Sequence, residues 1–149
     1  MQISSKGIAL IKRFESLRLE AYLDTGNVPT IGFGSTLGVH MGMVITPGEA
    51  ERRLLEDIER LNIAPFLDGA ATTQNQYDAM QSLAFNIGLG DPFRKPIAEG
   101  FRTSSVLKFH KVGKYNRAAD SFLLWKRDNG RVVQGLLNRR EQERELYLS

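Results

Sequence analysis

Cysteine is absent from the 149-residue chain, which excludes a disulfide, a thiolate metal site and a cysteine nucleophile. Histidine occurs only at His40 and His110, and neither has companions at ligand spacing, so structural or surface roles fit both better than metal binding. Long apolar runs are also missing: none approaches the ~20 residues of a membrane span. Near the N-terminus, Lys12 and Arg13 interrupt the apolar segment that a secretory leader would need. Stable membrane insertion and export by the usual route are therefore not expected. Gly32-Phe33-Gly34 is no dinucleotide loop, because position 37 is Leu and no βαβ pattern surrounds it, and no Walker lysine follows. Internal repeats and low-complexity segments are lacking as well.

A hydrophobic content of 42% is ample for one domain, or for two small lobes sharing a core. The net charge of +3 is unevenly spread. Residues 1–100 hold nine Lys and Arg against twelve Asp and Glu, a net −3; residues 101–149 hold eleven against five, a net +6. A basic C-terminal part suits a polyanion such as nucleic acid, an anionic membrane or the bacterial envelope, although a solvated basic face is commoner than any specific site. A cationic nucleic-acid or membrane binder would need aromatic residues interleaved with basic ones, or a strongly amphipathic cationic helix. Lys108 to Lys114 matches this only in part.

Helices dominate the second two-thirds of the chain. Thr46-Pro47-Gly48-Glu49 and Thr73-Gln74-Asn75-Gln76 are capping boxes, the first with Pro at the first helical position. The first opens a helix to about Asn62, with Ala50, Leu54, Leu55, Ile58 and Leu61 on one side. The second opens a helix carrying Tyr77, Met80, Ala84 and Ile87, stopped by Gly88 and Gly90. Short helices are expected at about Ser104–His110 and Asn116–Leu124. A turn follows at Asp128-Asn129-Gly130, and a helix over Leu136–Leu148 places Arg139 and Glu143 as an i,i+4 pair. Trp125 reads as a core residue rather than a sugar platform, and Ser104 and Ser105 as helix caps.

The stretch from Phe14 to Thr36 carries the chemistry. Ser4 and Ser5 are candidate caps for a helix running to about Leu19, with Ile8, Leu10, Ile11, Phe14 and Leu17 on one broad face. Glu15 stands at the edge of that face. An apolar setting favours the neutral form of a carboxyl, and a neutral carboxyl can act as a general acid. Ala21-Tyr22-Leu23 reads as a short strand, Thr25-Gly26-Asn27 as a turn, and Val28 to Ile31 as the returning strand. Such a hairpin brings Asp24 close to Thr30, where an aspartate and a hydroxyl can hold and activate one water. Two carboxylates on two rigid elements, with a hydroxyl beside one of them, can cleave an acetal. Taken singly, Glu15 also reads as a surface glutamate, and Asp24 and Thr30 as ordinary turn residues.

Taken together, the stretch resembles the catalytic region of the phage-type lysozymes, the endolysins of T-even and lambdoid phages. That family carries Glu, eight residues, Asp, five residues, Thr, then a Gly-x-Gly turn, here Glu15, Asp24, Thr30 and Gly32-Phe33-Gly34. The likeness continues through Gln74 to Ala79, Phe85-Asn86-Ile87-Gly88, Phe122 to Trp125, and Gly135 to Glu141, over essentially the whole chain. Two departures stand out. Ser35 occupies a position where the family often has His, and Leu89–Phe101 is longer than the usual link.

The resemblance implies an α+β, mostly helical, lysozyme-like fold. It pairs a small lobe with an antiparallel hairpin sheet, about 16–60, with a larger helical lobe, about 1–15 and 61–149, and a cleft between them. It implies hydrolysis of the β-1,4 bond between N-acetylmuramic acid and N-acetylglucosamine in peptidoglycan, with no metal or organic cofactor. Glu15 would be the general acid, and Asp24 with Thr30 would place the attacking water. Tyr22, Phe85 and Asn86 are candidates for lining the substrate site. The partners implied are peptidoglycan glycan strands and, indirectly, a pore-forming holin, with no nucleic acid. A monomer held in the host cytoplasm until lysis, then acting in the periplasm, completes the expectation. The competing readings are a chitin- or chitosan-cleaving glycosidase and a non-catalytic envelope-binding module.

Overall fold

A computed structural model describes all 149 residues, which divide into two compact units: residues 1–10 with 61–149, and residues 11–60. The larger unit is organised around a helix whose start is written in four residues. The Thr73 hydroxyl accepts from the Gln76 amide at 3.1 Å, and the Gln76 side chain accepts from the Thr73 amide at 2.9 Å. This reciprocal cap satisfies two amides that would otherwise lack partners, and it opens α3, Gln74–Ile87. Every residue from Gln76 to Ala84 is buried, so over that stretch α3 has no solvent face and runs through the core.

Three further helices surround α3: α4, Ser105–Lys111; α5, Tyr115–Ser121; and α6, Gln134–Leu148. Tyr77, Met80, Leu83 and Ala84 pack with Phe101, Val106, Leu107, Ala118, Ala119, Phe122 and Tyr147 in one apolar cluster. Ser104 caps α4, accepting from the Leu107 amide at 3.2 Å. The expected Arg139–Glu143 pair forms at 3.3 Å, but in the interior rather than at the surface. Glu143 also accepts from Ser82 at 2.7 Å and faces Arg140 at 2.7 Å. A charge so deeply buried is tolerable only with this many partners.

Two links in this unit are shaped by local backbone pairing, the first at the expected Asp128-Asn129-Gly130 turn. Asn129 and Gly130, with φ of 49° and 75°, form the turn of a second hairpin, β3 at Arg127–Asp128 and β4 at Arg131–Val132. Paired positive φ values at Asn-Gly close a two-residue hairpin. In the Leu89–Phe101 link, Asp91 and Ala98 pair through backbone bonds of 2.7 and 3.1 Å, and Gly90 and Gly100 pass so closely that a Cβ on Gly100 would fall 2.3 Å from the Gly90 nitrogen.

The smaller unit has its own core of Ala21, Ile31, Ile45 and Ala50. Its first helix, α1, Ser5–Phe14, supplies residues to both units. Ser4 caps it weakly, accepting from Gly7 at 3.4 Å. The helix stops at Phe14 rather than near Leu19, and Arg18–Leu23 is strand β1, which begins earlier than Ala21. The cause is non-local. Ala21 donates to the Met43 carbonyl and Ile45 to the Leu19 carbonyl, both at 2.9 Å, and those bonds require an extended backbone. Leu17 is accordingly exposed, not part of a helical face. Strand β2, Pro29–Gly32, pairs antiparallel with β1, and an isolated bridge from Glu20 to Val44 extends the sheet. Thr46 then caps α2, Pro47–Arg60, by accepting from the Glu49 amide at 3.2 Å.

Candidate functional site

The hairpin β1–β2 places Asp24 and Thr30. Register pairs Tyr22 with Thr30 and Leu23 with Pro29. Side chains two apart on a strand share a face, so Asp24 and Thr30 are diagonal neighbours on the face that also carries Tyr22. The Val28 carbonyl joins them: it accepts from the Asp24 amide at 3.0 Å and from the Thr30 hydroxyl at 2.8 Å.

Asp24 is held rigidly. One carboxylate oxygen, Oδ1, accepts from the amides of Gly26 at 2.8 Å and Val28 at 2.9 Å, while Asn27 donates to the Asp24 carbonyl at 3.0 Å. This closed loop tolerates Asn27 at φ of 60°, a conformation Asn adopts readily. Oδ2 makes no hydrogen bond within the chain. Thr30 is buried. Its hydroxyl proton is committed to Val28, which leaves the oxygen as an acceptor.

Glu15 directly follows α1, and its amide still donates to the Ile11 carbonyl at 3.2 Å. The end of a helix gives it a fixed backbone, and its side chain is half-buried. The tight turn after β2 comes up beside it. Ile31 and Ser35 exchange two backbone hydrogen bonds of 2.9 Å across Gly32-Phe33-Gly34. Gly34 has φ of 97°, and a Cβ there would sit 3.7 Å from Glu15 Oε2. The turn thus passes near the Glu15 carboxylate with room for no more than a small side chain, and the positive φ is what requires glycine.

Of the remaining predicted contacts, Tyr22 is half-buried, with the Arg18 guanidinium 4.3 Å from its ring centroid. Phe85, half-buried, and Asn86, exposed, stand on the last turn of α3 in the other unit. Trp125 packs against the larger core while keeping part of its surface exposed. His40 is exposed, whereas His110 is buried between Thr72 and Tyr147, at 2.8 and 2.6 Å. No group of three or more His, Asp and Glu is arranged to hold a metal ion.

Sequence reasoning missed one linkage in this unit. Ser35, buried directly after the Gly34 turn, donates its hydroxyl to Asp57 Oδ2 on α2 at 2.6 Å, and Asp57 in turn pairs with Arg60. The Ser35–Asp57 bond spans 22 positions, so no local pattern announces it.

Comparison with known proteins places the chain in a family. The family model for phage lysozyme matches residues 12–143. The endolysin of Salmonella phage P22 is 43% identical, covering 100% of this chain and 99% of its own. The endolysin of Bacillus phage B103 is 39% identical over the whole chain, but the chain spans only about half of that relative, 55%. Among solved structures, the muramidase domain of SpmX from Asticaccaulis excentricus superposes with a TM-score of 0.82 at 32% identity, covering 99% of this chain and 98% of that one. With more than half its length matched by the family model and a full-length relative above 40% identity, the chain belongs to the phage lysozyme family.

Proposed function

We propose that the protein is an endolysin of the lysozyme type, a glycoside hydrolase that cleaves the β-1,4 bond between N-acetylmuramic acid and N-acetylglucosamine in bacterial peptidoglycan. The observation that carries this reading is the sharing of the Val28 carbonyl by Asp24 and Thr30, with the Glu15 carboxylate near the Gly34 turn in the same unit. Names borne by relatives, endolysin and muramidase domain, support it.

In this mechanism Glu15 delivers a proton to the departing glycosidic oxygen. A water on the opposite face of the sugar uses one hydrogen to bond Thr30 Oγ1 and gives the other to Asp24 Oδ2. Its freed lone pair attacks the anomeric carbon as the C–O bond breaks. Thr30 serves as acceptor because its own proton is spent on Val28, and Asp24 offers Oδ2 because Oδ1 is held by Gly26 and Val28. A single displacement of this kind inverts the anomeric centre. No step calls for a metal or organic cofactor. The protein acts as a monomer on wall glycan strands, held in the host cytoplasm until a pore-forming partner admits it to the periplasm. Lysis in culture would then wait on permeabilisation of the inner membrane.

Digestion of purified peptidoglycan tests the reaction. Mass spectrometry should find new reducing N-acetylmuramic acid ends, and NMR of fresh product should find the α anomer. The variant Glu15→Gln should lose roughly 10²–10⁴-fold in rate, the usual worth of general acid catalysis. Reducing N-acetylglucosamine ends, or a Glu15→Gln variant within threefold of the parent, would overturn the assignment.

A further inference from the structure

We propose that the tip of the Leu89–Phe101 link docks on an anionic phospholipid surface, with Phe93 and Ile97 entering the headgroup layer and Arg94 and Lys95 pairing with lipid phosphates. Such docking goes beyond the hydrolase reading and does not depend on it. The whole link lies within the larger unit, and its base is firmly bonded. Asp91 and Ala98 exchange backbone bonds of 2.7 and 3.1 Å, Phe101 donates to the Gly88 carbonyl at 2.9 Å, and Arg102 donates to the Leu89 carbonyl at 2.8 Å. The Asp91 carboxylate is engaged at this base, accepting from the Phe93 amide at 3.0 Å and standing 4.0 Å from the Arg102 guanidinium.

Beyond the base, Phe93-Arg94-Lys95-Pro96-Ile97 is exposed throughout. Phe93, at 83%, is the most exposed large apolar residue of the chain, and Ile97 is 60% exposed. Two large apolar side chains on one loop tip are unfavourable in water unless something covers them. Charge decides what does. Arg94 and Lys95 stand between the two apolar residues, exposed and paired with no acidic group. The five residues therefore carry +2 with no acid among them. The flanking acids are Asp91, already engaged, and Glu99, beyond the Asp91–Ala98 bridge. Apolar side chains on either side of two cations match an anionic bilayer. The apolar groups enter the interface, while the long cationic chains reach headgroup phosphates. A fluid bilayer also demands no matching shape. A specific protein partner would need about 800 Å² on each side, more than a five-residue tip offers. A wall glycan could pair with the cations, but it has no apolar layer to receive Phe93 and Ile97.

The experiment sediments the full chain with vesicles of phosphatidylglycerol and phosphatidylethanolamine, and with vesicles of phosphatidylcholine alone. Salt at about 0.15 M screens charges elsewhere on the molecule. The parent should partition onto the anionic vesicles and scarcely onto the neutral ones. Phe93→Ser combined with Ile97→Ser should weaken that partition by roughly tenfold or more. Arg94→Ala combined with Lys95→Ala should weaken it by roughly thirtyfold. Phe93→Trp should bind like the parent, and its added fluorescence should shift to the blue on binding, against a parent whose single tryptophan is Trp125. Melting points should not change, and rates on a soluble glycan fragment should stay within twofold. Equal binding to both kinds of vesicle, or to neither, overturns the proposal, the latter leaving a protein partner for the tip. So does a Phe93→Ser, Ile97→Ser variant that binds like the parent, which would assign binding to another basic face. Tip variants that slow hydrolysis of the soluble glycan without changing vesicle binding would make the tip a substrate contact, and the proposal also fails. Vesicle binding is read without any enzyme activity, so failure of the hydrolase reading leaves this test intact.

Discussion

Thr30 shows how a single residue's hydrogen bonds limit its role. The buried hydroxyl gives its proton to Val28 at 2.8 Å, so in the proposed mechanism it can only accept from the water. Thr30→Val removes the acceptor and keeps the branched shape that suits a strand. Turnover on soluble glycan should fall about ten- to a hundredfold with KM nearly unchanged, and Thr30→Ser should recover most of it. Weakened binding at unchanged turnover would make Thr30 a substrate contact instead. Asp24→Asn keeps an oxygen for the Gly26 and Val28 amides but cannot take the water's proton. Lysis should collapse while helical circular dichroism stays intact. These residues were legible because the Glu15, Asp24, Thr30 spacing falls on two local elements whose turn signals are also local. Ser35 and Asp57 were not, because their bond spans 22 positions and a serine after glycine carries no pattern of its own.

The same contrast between local and distant signals governs the helices and strands. Thr73 to Gln76 announces the start of α3 because the cap is built from neighbours in sequence, and both of its bonds form. The end of α1 was misplaced because strand pairing to Met43 and Ile45, far along the chain, overrides a helical periodicity that would include Leu17. Packing between α4 and α6 carries a consequence for pH. His110 on α4 is enclosed by Thr72, Tyr147 of α6 and the Tyr115 ring of α5. Burial holds its pKa below the usual 6.5, and burial likewise pushes the Tyr147 hydroxyl upward. The unfolded chain protonates this histidine near pH 6.5 while the folded chain resists, so the unfolded state binds more protons and stability falls with falling pH. The slope contributed approaches about 1.4 kcal/mol per pH unit below that point and flattens once the folded histidine also titrates. Thermal melts between pH 7.5 and 5 should show this decline. His110→Gln, less stable at neutral pH, should lack this component. An identical pH slope in both proteins would assign the decline to other groups.

At the scale of the whole molecule, the charge distribution separates encounter from chemistry. Residues 101–149 carry +6, whereas the first hundred, which include Glu15 and Asp24, carry −3. Cell walls are polyanionic, so a positive segment should speed association by long-range attraction without joining the reaction. Lys108 and Lys114 are exposed on either side of the turn that ends α4, while Lys111 between them is paired with Asp68 and is less available. The Debye length falls from about 10 Å at 0.1 M salt to about 3 Å at 1 M, so lysis of intact walls should decline steadily over that range through weaker association. Hydrolysis of a short uncharged oligosaccharide should change far less, because the groups that touch the reacting bond act at contact distance. Reversing Lys108 and Lys114 to Glu removes two units of charge at each site and takes the segment from +6 to +2. The double variant should show a flatter salt dependence on walls and an oligosaccharide rate within twofold of the parent, with an unchanged melting point confirming the fold. If the wall assay keeps the parent's salt profile, the lysines are a solvated face and the attraction comes from elsewhere on the molecule.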